Sequence, residues 1–241
     1  MLTLDSIRDI KIYQSKKGYR FSVDSLLLFS FIRLAHVKTI ADLGAGSGII
    51  GLLLAKRFLE AEVYLVEIQK GLYELCKMNI RINDLSERVH AINEDIKDIA
   101  KGKAIKGLEE NSFDLVVSNP PFRRPRTGRL SPENERALAR HELLLEFKDL
   151  VRASHRLLKT GGRFCLIHLP ERLTEVLQEL KDTGLEPKRL RFVHSKQKEP
   201  AKLVLIEAAK ARRPGLVVEK PFIIYNDDGS YTEEMASVYR I

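Results

Sequence analysis

Four consecutive residues, Asn119-Pro120-Pro121-Phe122, follow an apolar run, Phe113-Asp114-Leu115-Val116-Val117-Ser118, that reads as a buried strand. A strand ending this way offers two oxygens close together, the Asn119 side-chain amide and the Pro120 carbonyl. Such a pair can accept both hydrogens of one amino group. An amine conjugated to a π-system is a poor nucleophile, because its lone pair is delocalised. Holding both hydrogens favours a pyramidal nitrogen with its lone pair aimed at an electrophile, a gain from orientation and pre-placed dipoles. No strong base is required, since the proton can leave after the new bond forms. Pro121 fixes φ and stiffens the turn. Phe122 offers a stacking face, worth about 1–3 kcal/mol to a nucleobase. Asn and Pro also favour plain turns after strands, so the tetrapeptide alone is compatible with a bland connection.

A second string, Asp42-Leu43-Gly44-Ala45-Gly46-Ser47-Gly48, also follows an apolar run, Thr39 to Leu43. Its glycines let the chain turn sharply and bring backbone close to a ligand. A helix is expected from Ile49 to about Phe58, so its N-terminal N–H groups point at that ligand. The spacing is Gly-x-Gly-x-Gly, which differs from the dinucleotide fingerprint Gly-x-Gly-x-x-Gly. The next strand, Ala61 to Val66, ends in Glu67. An acidic residue about 20 positions past such glycines can accept hydrogen bonds from ribose hydroxyls; the alternative is a surface carboxylate. Arg88 to Ile92 reads as a third strand, followed by Asn93-Glu94-Asp95-Ile96, where Asp95 can cap a helix.

Together the two strings resemble an S-adenosylmethionine (SAM) dependent methyltransferase acting on an amino group conjugated to a π-system. Adenine-N6 and protein-glutamine methyltransferases both use Asn-Pro-Pro-aromatic in this way. The resemblance implies cofactor contacts from Asp42, Gly44, Gly46, Gly48, Glu67 and Asn119. It places Asp95 near the cofactor's adenine, with Ile96 packed on that ring. Asn119, Pro120, Pro121 and Phe122 become the catalytic turn. The implied fold is α/β and Rossmann-like. It has a seven-stranded, mostly parallel sheet with helices on both faces and one antiparallel strand beside the fifth.

A closer resemblance is to the bacterial tRNA adenine-N6 methyltransferases that modify valine tRNA beside the anticodon. It rests on Gly18-Tyr19-Arg20-Phe21-Ser22-Val23-Asp24-Ser25-Leu26-Leu27-Leu28, on the Ala139-Arg140 segment and on the ending Tyr231-Thr232-Glu233-Glu234. It implies methyl transfer to N6 of an RNA adenine, with a tRNA as partner; the sequence does not fix the oligomeric state, and a monomer is favoured. Protein-glutamine N5, DNA adenine-N6 and rRNA guanine-N2 methyltransferases stay open as alternatives, as does a non-catalytic SAM-binding RNA chaperone. Only about 37 residues precede the first core strand, short for the helical domain of the glutamine enzymes.

The remaining chain must hold these groups in place. Residues 8–22 read as a hairpin around Gln14-Ser15-Lys16-Lys17-Gly18, with a capped helix from Ser22 or Asp24 to about His36. Gly71 to Asn83 is an amphipathic helix whose stripe of Leu72, Leu75, Cys76 and Ile80 is core. A helix to about Leu158 is expected to stop at Thr160-Gly161-Gly162. Strands follow at Arg163–Leu169, Pro187–His194 and Leu203–Ala208. The expected organisation is an appendage over residues 1–37, a methyltransferase domain over 38–209 and a packed tail over 210–241. Four arginines, Arg123, Arg124, Arg126 and Arg129, sit directly after the catalytic turn and read as a phosphate clamp for RNA.

Composition agrees with an RNA partner. The chain has 241 residues, 41 Lys and Arg against 33 Asp and Glu, and a formal net charge of +8. Such a balance suits a polyanion better than a membrane. No apolar stretch approaches the ~20 residues of a membrane span, so a cytoplasmic setting is expected. Cys76 and Cys165 have no metal-ligand neighbours at familiar spacing and read as buried thiols.

Overall fold

The computed structural model describes residues 2–15, 23–121 and 147–239. Gly18 to Ser22, Phe122, the four arginines 123, 124, 126 and 129, and Ala139-Arg140 lie outside the described residues. The elements are β1 (Leu2–Ile7), β2 (Ile10–Ser15), α1 (Val23–Phe31), β3 (Thr39–Leu43), α2 (Ile49–Arg57), β4 (Glu62–Val66), α3 (Lys70–Ile82), β5 (Val89–Ile92), α4 (Ile96–Ala100), β6 (Phe113–Ser118), α5 (Phe147–Leu157), β7 (Leu158–His168), α6 (Leu173–Asp182), β8 (Leu185–His194), β9 (Ala201–Lys210), β10 (Val217–Val218), β11 (Phe222–Ile223) and α7 (Glu233–Tyr239).

The main sheet runs β10-β8-β9-β7-β6-β3-β4-β5, with β11 also on β8. Strands β3 to β9 are the seven expected, and β9 is the antiparallel one, inserted between β7 and β8. The two further strands come from the tail and pair parallel to β8. Each is two residues long, too short to show a period in sequence.

Strand alternation sorts side chains onto two faces. Leu115 and Val117 of β6, with Cys165 and Ile167 of β7, join the core beneath α1, α2 and α3. Val116 of β6, with Phe164 and Leu166 of β7, joins the opposite core beneath α4, α5 and α6. Both cysteines are buried free thiols. Among the described residues, no helix is long and apolar enough to cross a membrane.

The N-terminal hairpin departs from the sequence expectation. It spans Leu2 to Ser15 and turns at Arg8-Asp9, with Arg8 at φ 53°. The turn has no glycine, and an arginine supplies the left-handed residue, so composition pointed to Lys16-Lys17-Gly18 instead. Helix α1 also stops at Phe31, short of His36. Arginines from elsewhere cap it: Arg57 donates to the Phe29 and Ile32 carbonyls at 3.0 and 2.8 Å, and Arg189 to Phe31 at 3.0 Å. These take carbonyls that a helix end leaves unpaired. The expected glycine stop near 161 is instead part of β7, where Gly161 has φ 79° and the pairing with β6 is irregular.

Two asparagines on α3 dock the hairpin. Asn83 accepts the Lys11 N–H at 2.9 Å and donates to the Lys11 carbonyl at 2.7 Å. Asn79 does the same for Tyr13, at 2.7 and 3.2 Å. At i and i+4 they share one helix face and stand in for a neighbouring strand along β2. Asn83→Ala leaves both Lys11 backbone groups unpaired. It should cost about 1–3 kcal/mol, read as a lower urea midpoint with unchanged slope.

Candidate active site

The site grows from the pairing of β3 with β6. They lie side by side and parallel, with Asp42 opposite Val117. Two residues further on, each chain leaves the sheet at the same end, β3 into Gly44 and β6 into Asn119. The chain proceeds from β3 outward to β4 and β5, then returns to the other side of β3 for β6 and β7. That reversal opens a crevice beyond the carboxyl ends of β3 and β6, where open α/β sheets bind ligands. Ser118 Oγ donates to the Leu43 carbonyl at 2.7 Å and pins the two strand ends together.

The glycine turn is braced from several elements. The N–H groups of Gly44 and Ala45 both donate to the Val66 carbonyl, at 2.9 and 3.0 Å. Gly46 N–H donates to Glu67 Oε2 at 2.9 Å, and Gln69 N–H to Glu67 Oε1 at 2.8 Å. Cys76 Sγ reaches the Gly46 carbonyl at 3.2 Å, and Asn79 Nδ2 donates to the Ser47 carbonyl at 2.9 Å. Gly48, at φ 88°, offers no side chain to cap α2. Asp42 caps it from β3, where Oδ2 accepts the Gly51 N–H at 2.9 Å. A Cβ on Gly48 would meet Leu65 at 2.9 Å, while one on Gly44 would face open space. Gly44 is therefore the residue turned to the crevice, and Gly48 the one packed against the sheet.

These residues fit a cationic cofactor. Asp42 Oδ1 and Ser47 Oγ are buried without a hydrogen-bond partner among the described residues. Asp42 and Glu67 are 1% and 3% exposed. Burial pushes the Asp42 carboxyl up from 3.8 to about 7, with the Gly51 N–H opposing and the Glu67 charge adding. Two carboxylates in one dry turn repel each other, and a positive group beside them relieves that repulsion. Glu67 thus braces the turn, which the acidic residue's offset alone did not reveal.

On the far side, Asp95 caps α4 by accepting the Lys97 N–H at 2.9 Å, and Ile96 is buried. Asn93 Nδ2 donates to the Glu67 and Ile68 carbonyls at 2.7 and 3.0 Å, lacing the end of β5 to that of β4. Asn119 is half-buried, Pro120 buried and Pro121 half-buried. Asn119 Nδ2 donates to Ser25 Oγ of α1 at 3.2 Å. Beside the turn, His168 is held neutral, pushed down to about 4 by burial and then by Arg172. Its Nδ1 accepts the Leu169 N–H at 2.8 Å. Among the described residues, no group of three His, Cys, Asp or Glu side chains could hold a metal ion.

The structure thus gathers Asp42, Gly44, Gly46, Glu67 and Asn119 at the ends of β3, β4 and β6, with Gly48 packed behind them against the sheet and Asp95 and Ile96 beyond the end of β5. Ser25, Cys76, Asn79 and Ser118 join them; Cys76 and Ser118 had no motif to announce them, and Ser25 stood in the 18–28 string without a role of its own. Asn79 and Asn83 did leave a trace: two amides four apart on an otherwise apolar helix stripe.

Asp42 also makes stability depend on pH. Folded, its carboxyl titrates near 7; unfolded, near 3.8. The native state therefore binds more protons between those values, and this group's contribution to stability falls as pH rises through them. Asp42→Asn removes the titration. Between about pH 5 and about pH 8 its unfolding free energy should gain on wild type by on the order of 2 kcal/mol, measured by urea unfolding across pH.

Residues 19–182 match the family described as methyltransferase small domain. A relative from Porphyromonas gingivalis is 32% identical over 238 residues, spanning 95% of this chain and 90% of its own. A second, from Shewanella sp., is 29% identical over 223 residues, spanning 90% and 89%. Both are named tRNA1(Val) (adenine(37)-N6)-methyltransferase. Among solved structures, a predicted O-methyltransferase from Agrobacterium tumefaciens superposes with TM-score 0.70 at 23% identity, covering 90% of this chain and 95% of that one. TYW2 from Pyrococcus horikoshii, in complex with MeSAdo, superposes with TM-score 0.59 at 15% identity, covering 88% and 72%.

Proposed function

The chain belongs to the methyltransferase small domain family and to the family of those tRNA methyltransferases. From that premise we propose that it transfers a methyl group from SAM to the exocyclic N6 amine of an adenine in tRNA, beside the anticodon of a valine tRNA. The observation that carries this reading is the β3–β6 register, which sets the glycine turn next to Asn119.

In this reading Gly44, turned to open space, lets the backbone approach the cofactor. Asp42 and Glu67 supply negative charge for its cationic groups, and the second lone pairs of Glu67 accept ribose hydroxyls. Asp95 and Ile96 border its adenine. When bound, SAM supplies an electrophilic methyl on a positively charged sulfur. Asn119 Oδ1 and the Pro120 carbonyl accept the two amine hydrogens, and Pro121 holds the turn stiff. Phe122 stacks on the extruded base. No base needs to act before methyl transfer, in keeping with His168, whose pKa of about 4 makes it a weak base. Arg123, Arg124, Arg126 and Arg129 follow the turn directly in sequence and bind phosphates flanking that base.

The deciding experiment incubates enzyme with labelled SAM and either tRNA, DNA or a glutamine-containing protein, and identifies the product by mass spectrometry. Labelled N6-methyladenosine from tRNA supports the reading. Label in methylglutamine, in methylguanosine or only in DNA overturns it.

Asn119→Ala should cut turnover by roughly 10²–10³, the scale for one lost transition-state hydrogen-bond partner, and change SAM affinity far less, by calorimetry. Replacing all four arginines by Ala should flatten the log–log salt dependence of RNA binding by about 2–3 units, at roughly 0.7 per phosphate contact. An unchanged slope would take the clamp away from that segment.

A further inference from the structure

Ser25 lies in the first turn of α1, 94 residues from Asn119 in sequence. It is 1% exposed, and its Oγ sits 3.2 Å from Asn119 Nδ2. We propose that Ser25 is a positioning residue for methyl transfer. It accepts one Asn119 N–H and so fixes the amide with Oδ1 turned to the acceptor amine. The proposal rests on the reading of Asn119 given above.

The physical need is specific. An asparagine amide carries an acceptor and a donor on opposite sides of one bond, and a half-turn exchanges them. With Oδ1 toward the substrate, Asn119 accepts an amine hydrogen. With Nδ2 there, two donors face each other and the amine is repelled. The backbone does not discriminate between these states, since the turn fixes only the main chain. Pro120 and Pro121 stiffen that main chain without touching the amide rotation. Discrimination must come from a side-chain partner on the inner side. Ser25 occupies that side and is 1% exposed, while Asn119 is half-buried.

Helix α1 is held firmly enough for this. Arg57 and Arg189 bind its last carbonyls, and its body is buried from Ser25 through Leu28. Substitution should also spare the fold. Alanine is the best helix former, so Ser25→Ala favours α1 locally. Ser25→Cys keeps the side-chain volume but replaces the oxygen by a much weaker acceptor.

The test measures kcat, KM for tRNA, SAM affinity and thermal melting for Ser25→Ala and Ser25→Cys, each also in an Asn119→Ala background. Both single variants should lose about tenfold in kcat, the scale of one hydrogen bond. SAM affinity and melting should stay near wild type. In the Asn119→Ala background neither change should lower kcat further, because the group through which Ser25 acts is gone. If Ser25→Cys keeps wild-type kcat while Ser25→Ala does not, packing is the cause and the proposal fails. It fails equally if the loss in kcat is undiminished in the Asn119→Ala background. Wild-type turnover in Asn119→Ala alone overturns the parent reading of the turn, and this one with it. A normal Asn119→Ala loss with unaffected Ser25 variants overturns only the Ser25 assignment.

Discussion

One constraint governs the site: β3 and β6 are neighbours, parallel and in fixed register. Parallel strands cannot be joined by a tight turn, so the chain between them must cross over. It does so through α2, β4, α3, β5 and α4, and then β6 returns to the other side of β3. Both strands therefore end at the same rim. Leu43 and Ser118 share a hydrogen bond at that rim. The two loops beyond inherit their separation from the sheet, so it varies no more than strand spacing does.

Within that frame the glycine turn concentrates polar cost. Its positive-φ backbone exposes N–H and carbonyl groups away from any sheet ladder, and each buried one needs a partner. Val66 O, Glu67, Cys76 and Asn79 supply partners from two other elements. The use of carboxylates has a consequence. Asp42 and Glu67 are both buried, and burial, with the Glu67 charge adding, pushes the Asp42 carboxyl up to about 7. A turn held only by amides would be stable and indifferent to ligand charge. In this one the buried carboxylates that brace the backbone are the groups that the proposed reading sets beside a cationic cofactor.

The parts of this arrangement legible in sequence are those with local causes. The apolar runs of β3, β4 and β6 are buried on both faces, so hydrophobicity alone located them. The glycine string and the Asn-Pro-Pro turn show themselves through backbone requirements that few other residues meet. The offset of Glu67 follows from one βαβ unit. What stayed hidden has tertiary causes. Helix α1 ends where Arg57 and Arg189 arrive, not at any local signal. β10 and β11 exist because β8 offers an open edge, not because two residues have strand propensity. Asn79 and Asn83 stood out as amides on an apolar stripe, but their partner, the β2 backbone, comes from another part of the chain.

The chain's two ends converge on the same face. Asn79 ties the N-terminal hairpin to the glycine turn through Tyr13 and Ser47. Arg8, in the hairpin turn, donates to the Val238 carbonyl at the end of α7 at 2.8 Å. Arg191 of β8 pairs with Glu234 at the start of α7, and Met235 and Val238 join the core that also contains α1. Hairpin and tail are thus linked to each other and close around α1. The helix has little charge complementarity of its own, with no basic residue in its last turn. Its position is set from outside, by arginines at one end and by packing along its length. Such a helix can carry Ser25 to Asn119 only if those outer pieces are in place. The appendages to the sheet are therefore part of the geometry at the Asn119 turn.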